Sequence, residues 1–321
     1  MLRVLTLSTL FPDASRPNFG VFVERQAAAL AALDGVEVRV VAPVGLPLVR
    51  GGHYRPLARL PRRETWRGLE VERPRFTVWP GTGGRFHAGA LARALGPVLA
   101  RIRRGFAFDV IDASFFFPDG PAAVALGRRF GVPVSIKARG ADIHHWGRAP
   151  ATEGQVRAAG RAADGLLAVS EALAEDMVAL GMPRALVHRT GVDQGRFRPG
   201  LRKDGPPHVV ALGALIPRKG HEVVVRAVAN LPGVRLTVVG EGPERGALEG
   251  LIAELDVGDR VRLAGSVAHE ALPDVLRAAD VMALASASEG LANAWVEALA
   301  CGTPVVVTDA GGARELVTSP I

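Results

Sequence analysis

The sequence predicts an α/β fold built from two doubly wound domains, and three observations support this prediction. Short apolar segments typical of strands alternate with helix-like segments along the whole chain. The alternation is interrupted by the turn-forming run Gly205-Pro206-Pro207 and then begins again. With 321 residues, the chain is long enough for two domains that each have a core. We therefore expect an N-terminal domain over 1–199 and a C-terminal domain over 200–321.

In the N-terminal domain, the predicted elements follow one another as strand and helix. A helix is predicted over Val21–Leu33 from its apolar spacing, and another is predicted to begin after Ser170, with Glu171 in its first turn. The region Gly45–Gly84 is rich in Pro, Gly and Arg and predicts loops and short strands. The predicted strands are Val4–Thr9, Val36–Pro43, Val110–Ala113, Val132–Lys137 and Leu166–Val169. This rhythm predicts a parallel sheet with helices on both faces.

The C-terminal domain repeats the pattern. Its predicted strands are His208–Leu212, Arg235–Val239, Val261–Leu263, Val281–Leu284 and Pro304–Thr308. Its predicted helices are His221–Leu231, Glu244–Leu255, Leu272–Ala278 and one that carries Glu289 and Glu297. A complete doubly wound domain would add on the order of 30 to 60 residues after Ile321. We therefore expect this domain to be truncated, which puts the activity of the given chain in question.

Composition restricts the class of protein. Hydrophobic residues make up 48% and charged residues 22%, which is typical of a globular chain. No apolar stretch approaches the roughly 20 residues that a transmembrane helix needs. The N-terminal residues predict a first strand better than a signal peptide. The single cysteine, Cys301, excludes an internal disulfide framework and favours a reducing cytoplasm as the location.

The positive charge is confined to one half of the chain. Residues 1–200 carry 28 Lys and Arg against 17 Asp and Glu, whereas residues 201–321 carry 11 against 15. Nine arginines lie between Arg50 and Arg85. Such a patch can hold the protein peripherally on an anionic membrane surface, at the inner face, or receive an anionic acceptor. A solvated arginine-rich surface explains it equally well, and nucleic acid is not a predicted partner.

Glu289 and Glu297 lie eight residues apart in the segment SEGLANAWVEALACGTPVVVTDAGGARELV. If both lie on one helix, eight residues are a little over two turns, and both carboxylates point to roughly the same side. The backbone N–H groups of Gly290 to Asn293 would then form a phosphate cradle. The pattern predicts a site for phosphate and hydroxyl groups together, such as a sugar nucleotide. An amphipathic helix with two solvated glutamates is the alternative.

The spelling E-G-x-x-N-x-x-x-E-A-x-A-x-G-x-P-V-V, followed by G-G-x-x-E, resembles the signature of the family 4 retaining glycosyltransferases. The resemblance runs from Glu289 to Glu315. It implies the GT-B fold, with two Rossmann-like domains, and transfer of a hexose from a nucleotide sugar to a glycan or lipid-linked acceptor. The nucleotide stays open among UDP, GDP and ADP. The N-terminal segment FPDASRPNFGVFVERQ resembles the corresponding segment of family members that build exopolysaccharide and other envelope glycans.

The resemblance also implies site residues. Arg218 and Lys219 would hold the diphosphate, which needs cationic stabilisation as its bond to the sugar breaks, and Glu289 would contact the donor sugar. These three are the predicted catalytic residues. Ribose hydroxyl groups would donate to Glu297. The implied donor-binding residues are Gly20, Gly213, Arg218, Lys219, Val267, Gly290, Leu291, Ala292, Asn293 and Glu297. No cofactor is expected, and without a D-x-D motif no metal is expected either.

On the acceptor side, the resemblance points to Arg139 and Asp142. The usual motif of the family at this position is H-G-x-D, whereas this chain has Arg139-Gly140-Ala141-Asp142. Arginine stays protonated and cannot act as a base, so no catalytic base is assigned. Retaining enzymes of this type are thought to use the donor phosphate instead.

Two other functions stay open from the sequence. Arg139 and the expected truncation are compatible with a non-catalytic protein that binds nucleotide sugars. A GT-B sugar-nucleotide epimerase would share the donor residues but would need acid and base carboxylates that the sequence does not identify. The sequence does not match the dinucleotide-binding motif G-x-G-x-x-G. Gly240 and Gly242 fit its first two glycines, but Arg245 occupies the position of the third.

Overall fold

The computed structural model describes residues 1–49, 51–52, 54–200 and 205–317. It divides into two compact units, residues 1–188 and 189–321. The division lies before the predicted boundary at 199/200. The physical reason is the position of Phe197, whose side chain is buried in the same hydrophobic core cluster of the second unit as Trp295. The segment before the Gly-Pro-Pro run therefore belongs to the second unit.

The N-terminal unit is an α/β unit with helices between most of its strands. Its strands are β1 (Leu2–Leu7), β2 (Val36–Val41), β3 (Val44–Leu46), β4 (Arg63–Trp66), β5 (Leu69–Glu72), β6 (Arg75–Thr77), β7 (Val110–Ala113), β8 (Val134–Ala138), β9 (Gly165–Ala168) and β10 (Leu186–Val187). Its α-helices are α1 (Val21–Ala31), α2 (Tyr54–Arg59), α3 (His87–Gly105), α4 (Asp119–Phe130), α5 (Glu153–Ala162) and α6 (Glu171–Ala179). Ser170 caps α6 as predicted, since its Oγ accepts a hydrogen bond from the backbone N–H of Leu173.

The main sheet of this unit has the strand order β10-β9-β8-β7-β1-β2-β5-β4. Every pair is parallel except β4 with β5, which form an antiparallel hairpin. Strands β2, β5 and β4 lie on one side of β1, and the later strands β7 to β10 lie on the other side. The direction of strand addition therefore reverses between β1 and β7. Ligands of open α/β sheets bind at the carboxyl ends of the strands at such a switch point.

The C-terminal unit is a smaller parallel sheet with the strand order β13-β12-β11-β14-β15. Its strands are β11 (His208–Leu212), β12 (Arg235–Val239), β13 (Val261–Gly265), β14 (Val281–Leu284) and β15 (Val305–Val307). Its α-helices are α7 (His221–Ala229), α8 (Arg245–Glu254), α9 (Leu272–Arg277) and α10 (Asn293–Ala300). The switch point lies between β11 and β14. The predicted α/β fold is confirmed in both units.

One predicted element is wrong in a way that affects the site. Glu289 does not lie on the helix that carries Glu297, because α10 begins only at Asn293. Gly290 disfavours a helix, and Ala292 takes an extended backbone conformation just before the first turn. The argument that two helical turns align the two carboxylates therefore fails. Glu289 belongs to the loop after β14.

In the part of the chain that is described, no helix is both long and apolar enough to cross a membrane.

Candidate active site

The switch point of the C-terminal unit brings two loops together. One follows β11 and the other follows β14, and these strands are neighbours in the sheet. The backbone N–H of Ala287 donates to the carbonyl of Arg218 over 2.8 Å. Gly220 allows this approach, because it has a φ of 62° and a Cβ there would lie 2.1 Å from the carbonyl oxygen of Ala285. The contact fixes the predicted diphosphate-binding residues against the predicted sugar-binding loop.

Three predicted catalytic residues meet in one ionic cluster. Lys219 Nζ donates to Glu289 Oε1 over 2.5 Å, and Arg218 Nη1 lies 3.6 Å from Glu289 Oε2. Arg218 Nη1 also donates to the carbonyl of Ser288 over 2.6 Å. The Glu289 side chain is only 8% exposed, whereas that of Arg218 is 33% exposed. Two cations share one carboxylate, so the cluster keeps a surplus positive charge next to solvent.

Behind this cluster lies a histidine that the sequence analysis did not single out. His221 is buried at the start of α7, and its Nε2 lies 3.2 Å from the carbonyl oxygen of Ala214. Burial lowers the pKa of His221. The predicted donor residue Gly213 lies beside it, since a Cβ there would be 3.5 Å from Lys219 Cδ and 3.6 Å from His221 Nε2. A Cβ at position 213 would therefore make ordinary van der Waals contact with both side chains.

Glu297 has its own partner. It lies on α10, is 7% exposed, and its Oε1 is 2.8 Å from His269 Nε2. The His269 ring packs edge-to-face on Phe197 at 5.1 Å between centroids. The pair fixes the carboxylate that was predicted to accept from ribose. The sequence analysis missed His269, although its position after β13 could have indicated this edge of the sheet.

The remaining donor residues of this unit line the same edge. Leu291 and Ala292 are 6% and 7% exposed, so their side chains pack inward. The carbonyl of Gly290 accepts from the backbone N–H of Gly312 over 2.7 Å. Asn293 opens α10. Val267 follows β13 and packs against the core of the unit. Their contacts with a donor stay predictions.

Gly20, Arg139 and Asp142 belong to the N-terminal unit. Gly20 precedes α1 with a φ of 72°, and a Cβ there would lie 2.6 Å from the backbone of Leu10. This contact within the chain requires glycine at position 20 without any ligand. Its predicted part in donor binding stays a prediction.

Arg139 lies just after β8 and is held on three sides. Its Nε donates to the carbonyl of Ser114 over 2.6 Å, and its Nη2 donates to Gln26 Oε1 over 2.9 Å. Its guanidinium lies over the Phe22 ring, 4.7 Å from the centroid. Burial lowers the pKa of Arg139 to about 10, so the side chain is still a cation at neutral pH.

Asp142 is fully buried and is used by the backbone. Its carboxylate accepts from the N–H groups of Arg139, Gly140 and Phe116 at distances of 2.8 to 3.1 Å. Burial raises the pKa of Asp142, and these hydrogen bonds oppose that rise. With no exposed surface, Asp142 can act on an acceptor only indirectly, by fixing the loop that carries Arg139.

Neither unit, over the residues described, contains a group of three or more His, Cys, Asp and Glu side chains that could hold a metal ion.

Comparisons with known proteins identify both units. The family described as "Glycosyl transferase 4-like domain" matches residues 19–192, and "Glycosyl transferases group 1" matches residues 193–320. TuaC of Bacillus subtilis strain 168, whose name assigns it as a glycosyltransferase to teichuronic acid biosynthesis, is 28% identical over 98% of this chain and 83% of its own length.

Two further relatives extend the comparison. A GDP-mannose-dependent α-(1-6)-phosphatidylinositol monomannoside mannosyltransferase from Mycolicibacterium smegmatis is 31% identical over 68% of this chain and 64% of its own length. The crystal structure of HepE from Anabaena, in complex with UDP-glucose, has a TM-score of 0.71 and 21% identity. That match covers 99% of this chain and 83% of HepE. Because the two family matches run through both units, the protein belongs to the glycosyltransferases of the family 4 type, with the GT-B fold.

Proposed function

We propose that this glycosyltransferase is a retaining, metal-independent hexosyltransferase whose nucleotide-sugar donor binds to the C-terminal unit. The observation that carries the proposal is the cluster of Arg218, Lys219 and Glu289 at the switch point. HepE, which shares the fold, was solved with UDP-glucose, and the mannosyltransferase relative is named as GDP-mannose-dependent. Both support a nucleotide sugar as the donor class.

The cluster suits the electrostatic demand of the reaction. When the bond between the sugar C1 and the diphosphate oxygen breaks, negative charge grows on the diphosphate. Arg218 and Lys219 supply positive charge there, Arg218 through a planar fork and Lys219 as a point charge. Glu289 keeps both cations in place before the donor arrives, so they need little rearrangement. We propose that these cations take the role that a metal ion has in other transferases.

Retention follows if the acceptor oxygen attacks C1 on the face from which the diphosphate departs. The C1–O bond to the diphosphate breaks, the C1–O bond to the acceptor forms, and the acceptor proton passes to a diphosphate oxygen. This route needs no protein base. It fits Arg139, which stands where the family usually has His and remains protonated at neutral pH.

For the acceptor, we propose a glycan or lipid-linked saccharide at the inner membrane face, with the protein in the cytoplasm. Five arginines between residues 55 and 67 have exposed side chains: Arg55, Arg59, Arg62, Arg63 and Arg67. Leu48 and Val49 are 81% and 83% exposed just before them. Basic and apolar side chains together suit an anionic membrane surface. Arg73 does not contribute, because it is buried in an ion pair with Glu64.

A transfer assay tests the proposal. Full-length protein is incubated with radiolabelled UDP-, GDP- or ADP-hexose and with membrane lipid extracts, with and without EDTA. We expect one donor to give a labelled glycan or glycolipid with α-linkage from an α-donor, at a rate that EDTA does not change. A β-linked product would overturn retention, and loss of activity with EDTA that Mg²⁺ restores would overturn metal independence.

The same assay separates the two alternative functions. Binding of a nucleotide sugar without any product would indicate a non-catalytic binding protein. Conversion of the donor to its epimer, without transfer, would indicate an epimerase.

In the same assay, Arg218→Ala should lower the rate of transfer, because it removes one of the two cations proposed to stabilise the diphosphate. Arg226→Ala is the matched control, because Arg226 is exposed on α7 of the same unit.

A further inference from the structure

A cluster of basic side chains lies at the carboxyl edge of the N-terminal sheet. Lys137 is near the end of β8, Arg139 follows that strand, and His188 follows β10. Lys137 Nζ is 2.8 Å from His188 Nδ1 and donates to Gln26 Oε1 over 3.2 Å. Arg139 Nη2 donates to the same Oε1. Two cationic groups therefore converge on one neutral amide oxygen.

The charges of Asp142 and Asp112 act on this cluster and oppose the fall in the pKa of Arg139, but the described hydrogen bonds of the Lys137 and Arg139 side chains go to neutral groups and not to a carboxylate. Asp112 is the carboxylate on the neighbouring strand β7, but its oxygens accept from Ser135 Oγ at 2.6 Å and Ser114 Oγ at 3.3 Å. Asp142 is used by backbone N–H groups. Burial and the charge of Arg139 lower the pKa of Lys137 to about 7. A group of cations that repel one another stabilises itself by binding an anion.

The geometry decides which atoms can reach a ligand. Lys137 is 1% exposed and cannot contact one directly. When Lys137 is protonated, its ammonium group can only donate to His188 Nδ1, so this nitrogen accepts and the neutral ring carries its proton on Nε2. His188 is exposed, so its Nε2–H can donate to a ligand. In Arg139, the described residues provide partners for Nε and Nη2, which leaves Nη1 as a second donor.

We propose that Arg139 and His188 bind an anionic group of the acceptor, a phosphate or a carboxylate, and that Lys137 is the positioning residue behind them. In its protonated form, Lys137 supplies a buried positive charge and selects the tautomer in which His188 donates. The inference rests on the proposed function in one respect, because it takes the N-terminal unit as the acceptor side. It adds that the acceptor carries a negatively charged group that this cluster binds.

Histidine side-chain NMR of the full chain tests the proposal. With ¹⁵N-labelled histidine, long-range ¹H–¹⁵N spectra report the tautomer of each ring, and His188→Gln assigns the signal. At a pH below about 7, where Lys137 is protonated, we expect the neutral His188 ring to carry its proton on Nε2. Inorganic phosphate and glucuronate are then titrated as probes of the two anion types, against sodium chloride at equal ionic strength and glucose as the neutral control. At least one of the two anions should give a saturable shift at His188.

Three variants sharpen the result. Lys137→Met and Arg139→Gln should each weaken this response at least about tenfold. In Lys137→Met, the His188 signal should also show a mixture of tautomers, which a merely structural role would not produce. Lys219→Met is the matched control, because it removes the only described lysine of the C-terminal unit and should leave the His188 response intact. If Lys137→Met does not fold, the response of His188 to the anions in Arg139→Gln tests the proposal instead.

Two outcomes would overturn the inference. A His188 signal that responds to UDP but to neither anion would assign the site to the donor. No response to any anion, in protein that still transfers sugar, would show that the cluster only supports the fold. In that second case, the proposed function survives. Absence of transfer with an intact His188 response would instead contradict the proposed function alone.

Discussion

Lys219 and Glu289 form a nearly buried ion pair across the switch point of the C-terminal sheet, with 2.5 Å between Nζ and Oε1. The two residues are 70 positions apart in sequence and come from the loops after β11 and β14. The pair therefore links the loop predicted to bind the diphosphate with the loop predicted to bind the sugar. Its net effect is to hold a cation at the carboxyl edge of the sheet, where ligands of such folds bind.

Lys219→Met is expected to lower kcat/KM by about 10²- to 10³-fold, mainly through kcat, because the lysine would stabilise charge that develops only in the transition state. Steady-state kinetics with the active donor provides the measurement, and thermal melting checks that the variant is folded. Arg226→Ala should match the parent protein. An unchanged kcat in Lys219→Met would contradict the assigned role.

His269→Ala is expected to raise KM for the nucleotide sugar about three- to tenfold with little change in kcat, since Glu297 would lose the hydrogen bond that orients it. His269→Gln can donate from its amide nitrogen and should recover part of the affinity. Donor titrations followed by initial rates give both constants. A fall in kcat at constant KM would instead connect this pair with the chemical step.

Much of the fold could be predicted because the strands are short, mainly apolar segments separated by turn-forming residues. The predicted bounds of Val110–Ala113, His208–Leu212, Arg235–Val239 and Val281–Leu284 agree with β7, β11, β12 and β14. The sequences of buried parallel strands are mainly apolar because both faces of the sheet are covered by helices. Helix α2 was missed for the opposite reason, since its Arg and Pro residues lie in a region whose composition favours loops.

The sequence predicted candidate site residues but not the contacts between them. The structure places Arg218, Lys219 and Glu289 together, whereas the signature from Glu289 to Glu315 did not show that a loop precedes α10. The signature does not include His269, Lys137 or His188. Each of these residues contacts its partner only because the folded sheet brings together segments that are distant in sequence. Spacing along one element predicts side-chain geometry, whereas contacts between loops depend on the topology of the sheet.

Asp142→Asn is expected to destabilise the N-terminal unit by about 1 to 3 kcal/mol. Both oxygens of the carboxylate accept from backbone N–H groups, and an amide nitrogen in one of these places would leave buried donors unpaired. Urea denaturation measures the free energy of unfolding. Activity at a fixed folded concentration should also fall, because Arg139 loses its anchor. A variant as stable as the parent would show that the loop does not depend on these bonds.

Asp119→Asn is expected to have the opposite effect on stability, and the effect should depend on pH. Burial raises the pKa of Asp119 from 3.8 to about 7, with a smaller contribution from Asp142. Its Oδ2 accepts from the N–H and hydroxyl of Thr9, whereas Oδ1 is buried without a partner among the described residues. Asparagine can keep the bonds to Thr9 and removes the charge that must be buried.

The sign follows from the two pKa values. The folded protein binds this proton more tightly than the unfolded chain, so the contribution of Asp119 is most favourable below about pH 4. It declines as the pH rises to about 7 and stays low above that. Denaturation at pH 5 and pH 8 should therefore show a larger gain for Asp119→Asn at pH 8, on the order of a few kcal/mol. An equal gain at both values would mean that Asp119 does not titrate in this range.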